Sequence, residues 1–262
     1  MLNVGFIGCG NMGSVLATAV NNSELECKLY LSDANNSVSN LLSCQTGGTV
    51  CDNIQVAKQC DYIFLAVKPN IVLDVAKQIA PYLKENAVIV SMAAGMTIAK
   101  ITDQIKSNPI IRIMPNTPAA VGLGVILYTT RNTSLSCLET FKELMKTAGT
   151  LVVIDEEVID SATAVSGCGP AYAYMFIEAL ANAGINCGVP SELSLKLAAE
   201  TVKGAAEMVL KSGVAPKKLC ENVCSPGGST IEGVRVLQES NFDSTVESAI
   251  KAAYKRTKEL AN

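Results

Sequence analysis

Histidine is missing from this chain altogether. Its absence excludes a mixed cysteine–histidine zinc site and an imidazole general acid or base. Charge is sparse: 17% of the 262 residues are charged, and the net charge is −3 at pH 7. Lysine and arginine are dispersed, so no surface gathers the positive charge that a nucleic-acid partner requires. No uninterrupted apolar run is long enough to span a bilayer, so no membrane association is expected. The start of the chain has no basic stretch ahead of an apolar one and no cleavage pattern, which points to a cytoplasmic protein. Ten cysteines are present, but none form a CxxC pair; the closest two are Cys220 and Cys224. Their spacing suits neither a metal site nor a redox pair, and they read as reduced thiols, mostly small core fillers. Internal repeats and low-complexity linkers are absent too.

What is present is apolar sequence in short, well-punctuated runs. Strands are expected at Leu2–Gly8, Lys28–Ser32, Asp61–Val67, Ala87–Ser91 and Pro109–Met114, with helices such as Asn11–Val20 and Ile71–Leu83 between them. Strands that alternate with helices predict a parallel sheet covered on both faces. After Leu151–Ile154 the strand signal disappears. Helices are expected at 170–183, closed by Gly184, and at 191–211, closed by Gly213, then at 230–238 and 245–260. The fold class is therefore α/β: a Rossmann-type doubly wound parallel sheet over 1–155, then an all-α domain over 156–262. Alanines such as Ala171, Ala179, Ala198 and Ala205 allow close helix contacts. So apolar a set of helices predicts a homodimer through this half; a self-sufficient bundle is the other reading. Tyr172, Tyr174, Met175 and Phe176 read as core or dimer contacts.

Gly8-Cys9-Gly10-Asn11-Met12-Gly13 fits GxGxxG, between the first strand and the first helix. In that setting the glycines allow a tight turn, a close approach to a pyrophosphate and close helix–strand packing. The helix start offers free N–H groups to phosphate. The second strand ends in Ser32-Asp33-Ala34-Asn35-Asn36-Ser37. Asp33 suits the ribose hydroxyls of NADH, whereas Ser32, Asn35, Asn36 and Ser37 could donate to the 2′-phosphate of NADPH; both cofactors stay open.

Five further segments carry a resemblance. They are Ala66-Val67-Lys68-Pro69, Ser91 to Gly95, Arg112 to Pro118, Ser166 to Tyr172 and Ser225-Pro226-Gly227-Gly228-Ser229-Thr230. Together they resemble the pyrroline-5-carboxylate reductase family nearly end to end, with Cys168 where the family usually has serine. The resemblance implies reduction of 1-pyrroline-5-carboxylate to L-proline. It implies that Ala66, Val67, Lys68, Pro69, Met92, Ala93 and Ala94 wall the nicotinamide side of the cleft. Asn53 is implied near the adenine ribose, and Asn222 reaches the cofactor from the helical half. Ser225, Gly227, Gly228, Ser229 and Thr230 would hold the substrate carboxylate, and Glu156 would stand near bound product. Many members prefer NADPH, and Asp33 is where this chain departs. A ring of dimers, such as a decamer, stays open.

The residues themselves suit that chemistry. A glycine-rich, hydroxyl-bearing loop ahead of a helix fits a small carboxylate. It equally fits a helix cap supplied by Ser229 or Thr230. Hydride transfer to a protonated imine needs alignment more than protein acids. Thr230 is the candidate to hydrogen-bond the ring nitrogen. Lys68 reads equally as a positioning cation and as a solvated strand end. Arg112 reads equally as a carboxylate ligand and as a loop fastener. The alternatives are another imine or hydroxy-acid dehydrogenase of the same architecture, which should carry a catalytic lysine or histidine, and a non-catalytic dinucleotide sensor.

Overall fold

The computed structural model describes residues 1–105 and 107–261. They form two compact units. One comprises residues 1–168 together with the chain from Ala253 on; the other comprises Gly169–Ala252.

The first unit holds an eight-stranded sheet. Its strands are β1 (Leu2–Ile7), β2 (Cys27–Ser32), β3 (Thr49–Val50), β4 (Tyr62–Leu65), β5 (Val88–Ser91), β6 (Ile110–Met114), β7 (Gly124–Arg131) and β8 (Gly149–Val153). They lie in the order β3-β2-β1-β4-β5-β6-β7-β8. Its helices are α1 (Asn11–Asn21), α2 (Asn36–Thr46), α3 (Asn53–Gln59), α4 (Val72–Ile79), α5 (Ile98–Ile105), α6 (Leu135–Met145) and α7 (Glu156–Ser166). Strand residues alternate between two cores. Val4, Phe6, Phe64, Val90 and Ile113 enter the cluster that contains Leu16 of α1 and Phe141 of α6. Ile7, Ile63, Leu65 and Ile89 enter the cluster that contains Val56, Ile79 and Ile101 of α3, α4 and α5. Burial on both faces explains why the strands read as continuous apolar runs. Phe6 and Phe64 stack across β1 and β4 with centroids 4.5 Å apart.

The chain leaves β1 for β2 and β3 on one side, then returns to β4 on the other. The switch point lies between β1 and β4, where the strands' carboxyl ends leave a crevice. One pairing departs from the expected parallel sheet: β7 runs antiparallel to β6. Only residues 115–123, built around a 3-10 turn at Thr117–Val121, separate these strands, and a parallel return needs a longer crossover. The helix expected over 71–83 is shorter, because a 3-10 turn containing Pro81 follows Ile79; proline removes the next helical bond.

The second unit is helical: α8 (Gly169–Asn186), α9 (Ser191–Ser212), α10 (Pro216–Val223) and α11 (Ser229–Glu239), followed by α12 (Phe242–Ala261), which runs on past Ala252. Gly184 does not end α8 as the sequence suggests. The helix continues through it, and Gly188 takes the left-handed position at φ 94°. Gly184 instead lets α9 approach, since a Cβ there would collide with Ser194 Oγ. That hydroxyl donates to Ala181 O at 2.7 Å. Gly213 closes α9 at φ 67°, as expected.

Candidate functional site

The glycine loop sits at the switch point, and sterics require its glycines. Gly8 has φ 99°, and a Cβ there would lie 2.5 Å from Ala66 O. A Cβ on Gly13 would strike Gly8 O, whereas one on Gly10 would meet nothing within 4 Å. The loop is therefore closed below and open above. Gly8 N–H donates to Ser32 O and Ala66 N–H to Ile7 O, both at 2.8 Å. Gly10 caps α1 without a side chain. The first bond inside the helix runs from Ser14 N–H to Gly10 O, so the amides of Asn11, Met12 and Gly13 stand ahead of the ladder. An open face, a helix N-terminus and first-turn amides are what a pyrophosphate requires, and these residues fit a dinucleotide.

Cys9 is buried beneath the loop. Burial first, then the charge of Asp33, pushes its thiol up to about 12. It stays protonated at neutral pH and serves as filler, not nucleophile. Its amide donates to Asp33 Oδ2 at 2.7 Å, and Asn35 N–H donates to Asp33 Oδ1 at 2.8 Å. Beside Asp33, at the ends of β2 and β3, opens a cavity of about 500 Å3 that also touches Ser32, Asn36, Asp52, Asn53 and Gln78. Ser32 Oγ donates to Asn53 Oδ1 (2.7 Å), and Asn53 Nδ2 donates to Gln78 Oε1 (2.8 Å). Asp52 caps α3 in a reciprocal box with Gln55.

On the far side of β1, Ala66, Val67, Lys68 and Pro69 leave β4; Lys68 is exposed at the start of a 3-10 turn. Met92, Ala93 and Ala94 follow β5. Ala93 is buried, its methyl in the core beneath the sheet. Asn53 and the glycine loop thus share one sheet edge with these two segments.

Arg112 lies in mid-β6, 1% exposed, and does not reach outward. Its Nη1 donates to Glu156 Oε1 at 3.2 Å and its Nη2 to Asp160 Oδ1 at 2.6 Å. Glu156 Oε1 also accepts from Ile98 N–H at 2.7 Å. The sequence reading places Glu156 near product; here its first oxygen fastens β6 and α5 to α7. Arg112 therefore follows the fastener reading, not the carboxylate-ligand one. Asn116 fastens the following loop, donating to Ser166 O and accepting from Val125 N–H. Asp160 and Gln78 escape sequence reasoning because only tertiary packing gives them partners, whereas the Asp52-x-x-Gln55 box is legible as a capping pattern.

In the second unit, Asn222 is exposed on α10. The segment 225–230 turns through Gly227 at φ 71°, with Gly228 N–H bonded to Ser225 O at 3.0 Å. Neither Ser229 nor Thr230 caps α11. The cap is Gly228, with no side-chain bond, and both hydroxyls lie inside the first turn. The helix start is left free for an anion, with two hydroxyls beside it.

Residues 156–260 match the family model described as pyrroline-5-carboxylate reductase dimerisation. Residues 3–95 match the one described as NADP oxidoreductase coenzyme F420-dependent. The pyrroline-5-carboxylate reductase of Glycine max is 35% identical over 98% of this chain and 96% of its own length. That of Escherichia coli strain K12 is 37% identical over 98% of both. The crystal structure of Plasmodium falciparum pyrroline carboxylate reductase with NADP bound is 35% identical, with a TM-score of 0.88 over 100% of this chain and 98% of that one. Matched over nearly the whole of its length by such relatives, and by the dimerisation model over its second half, the chain belongs to the pyrroline-5-carboxylate reductase family.

Proposed function

We propose that this protein reduces 1-pyrroline-5-carboxylate to L-proline with NADH or NADPH, as a cytoplasmic homodimer. One observation carries the reading. In a chain without histidine, two helices start on glycine with no side-chain cap, α1 after Gly10 and α11 after Gly228. The first start suits a pyrophosphate and the second a small carboxylate. Residues 1–155 form the dinucleotide domain, and residues 156–262 the dimerisation and substrate domain.

With its pyrophosphate at the first start, a reduced nicotinamide dinucleotide would supply the hydride. The protein's task is to present a cyclic imine whose nitrogen carries a proton, so that its carbon accepts the electron pair. The amides of Gly227 and Ser229 and the hydroxyls of Ser225 and Ser229 hold the carboxylate, while the Gly228 amide closes the turn onto Ser225 O. Thr230 Oγ1 accepts the ring N–H and keeps the proton on nitrogen. Lys68, Ala66, Val67, Pro69, Met92 and Ala94 shape the nicotinamide side. Asn53 is assigned to the ribose, Asn222 to the cofactor and Glu156 to the product. Ten free thiols agree with a reducing compartment.

The test is nicotinamide oxidation at 340 nm with 1-pyrroline-5-carboxylate, with 2-oxo acids as controls. Turnover with the imine alone is expected. No turnover with either cofactor removes the reading.

A further inference from the structure

We infer that the cavity at the ends of β2 and β3 makes this protein selective for NADH, with Asp33 excluding the 2′-phosphate of NADPH and Asp52 reinforcing it. The inference rests on the dinucleotide reading above and goes beyond it by choosing between two cofactors.

The sequence leaves that choice open because four neutral donors flank Asp33. The structure commits one of them and keeps two more out of the cavity lining. Ser32 is 5% exposed, and its hydroxyl is committed to Asn53 Oδ1. Asn35 accepts Ser37 N–H as the cap of α2, and neither Asn35 nor Ser37 is among the residues that line the cavity. Asn53 itself is engaged at both ends, by Ser32 and Gln78. Of those four, Asn36 is left uncommitted at the cavity wall, with the Nε2 of Gln78 the other such lining amide. Against them stand two carboxylates, Asp33 and Asp52, and none of the described lining residues is lysine or arginine.

Charge decides the balance. A 2′-phosphate carries about −1.5 to −2 at neutral pH. The starts of α2 and α3 each offer roughly half a positive charge, about one together, set against two whole negative ones. A ribose 2′-hydroxyl, in contrast, needs only an acceptor. Each Asp33 oxygen takes one backbone N–H, from Cys9 or from Asn35, which fixes the carboxylate's orientation and leaves lone pairs for a sugar hydroxyl. The site is thus built to accept a hydrogen bond where a phosphate would need donors.

Binding tests this without turnover. The chain has no tryptophan, so emission of the reduced nicotinamide can be titrated against a quiet background. NADH is expected to bind at least about tenfold more tightly than NADPH at 0.1 M salt, and the ratio should shrink as salt rises. Asp33→Asn removes the charge while keeping an acceptor for the loop, and should narrow the ratio at least about fivefold. Equal or tighter binding of NADPH by the parent overturns the inference, as does an unchanged ratio in Asp33→Asn. Should that variant bind neither nucleotide, Asp52→Asn decides: a narrowed ratio supports the inference, and an unmoved one overturns it. A parent chain that binds neither nucleotide overturns this inference and the proposed function together. Selective binding of NADH without imine reduction removes only the substrate assignment.

Discussion

Thr230 and Cys9 show how differently two polar side chains can be used. Thr230 is exposed in the first turn of α11, so its removal should leave the fold intact. A hydrogen bond to a charged group contributes about 1.5–3 kcal/mol. Thr230→Ala is therefore expected to lower kcat/KM for the imine about ten- to a hundredfold, with the thermal midpoint unchanged; unchanged kinetics would remove its assigned role. Cys9 bears on stability instead. Its folded thiol titrates near 12 against an ordinary value near 9. Between those values the unfolded chain releases a proton that the folded chain keeps. Stability is thus flat below about pH 9 and falls above it, by at most about 1.4 kcal/mol per pH unit for this group. Cys60 is shifted the same way by burial. Urea midpoints from pH 8 to 11 should show the decline, and Cys9→Ala should make it shallower.

At the scale of elements, the buried Arg112 ties β6 to α7 directly and to the start of α5 through Glu156. Removing the cation leaves two carboxylates facing one another. Arg112→Met is expected to cost about 3–5 kcal/mol in urea unfolding. The triple variant with Glu156→Gln and Asp160→Asn should recover most of that loss; a triple no more stable than the single would show that the cluster is not what Arg112 supports. This tie also marks how far elements were legible. Five of the six strands of the parallel run, and the glycine loop, announce themselves, because burial on both faces demands continuous apolar runs. β3 does not, since two residues carry no periodicity. β7 does not either, although Val125, Ile126 and Tyr128 favour a strand, because its pairing depends on a turn too short for a crossover. Of the candidate site, residue types and spacing revealed the glycine loop and Asp33. The bonds that commit Ser32, Asn53 and Glu156 arise between distant segments and have no local signature.

For the whole molecule, the helical unit leaves Tyr174, Met175, Leu193, Leu197 and Leu210 exposed in the single chain, Leu210 by 78%. Isolated apolar residues on a surface are ordinary, but this many on α8 and α9 call for cover. Sedimentation should give twice the 27.5 kDa of one chain, and Met175→Glu with Leu210→Glu should shift the mass toward one copy. A parent chain that stays monomeric at micromolar concentration would refute the dimer. The alanine-rich character of the second half was legible as a need for partners; their number was not, because composition does not encode symmetry.

The single hydrogen bond from Cys9 N–H to Asp33 joins the sugar-reading end of the cleft to the turn that cradles phosphate. Anyone retooling this protein for the other coenzyme therefore cannot treat position 33 as an isolated dial. A replacement that welcomes the extra phosphate must also give the Cys9 amide a new acceptor, or the phosphate cradle will loosen along with the preference it was meant to change.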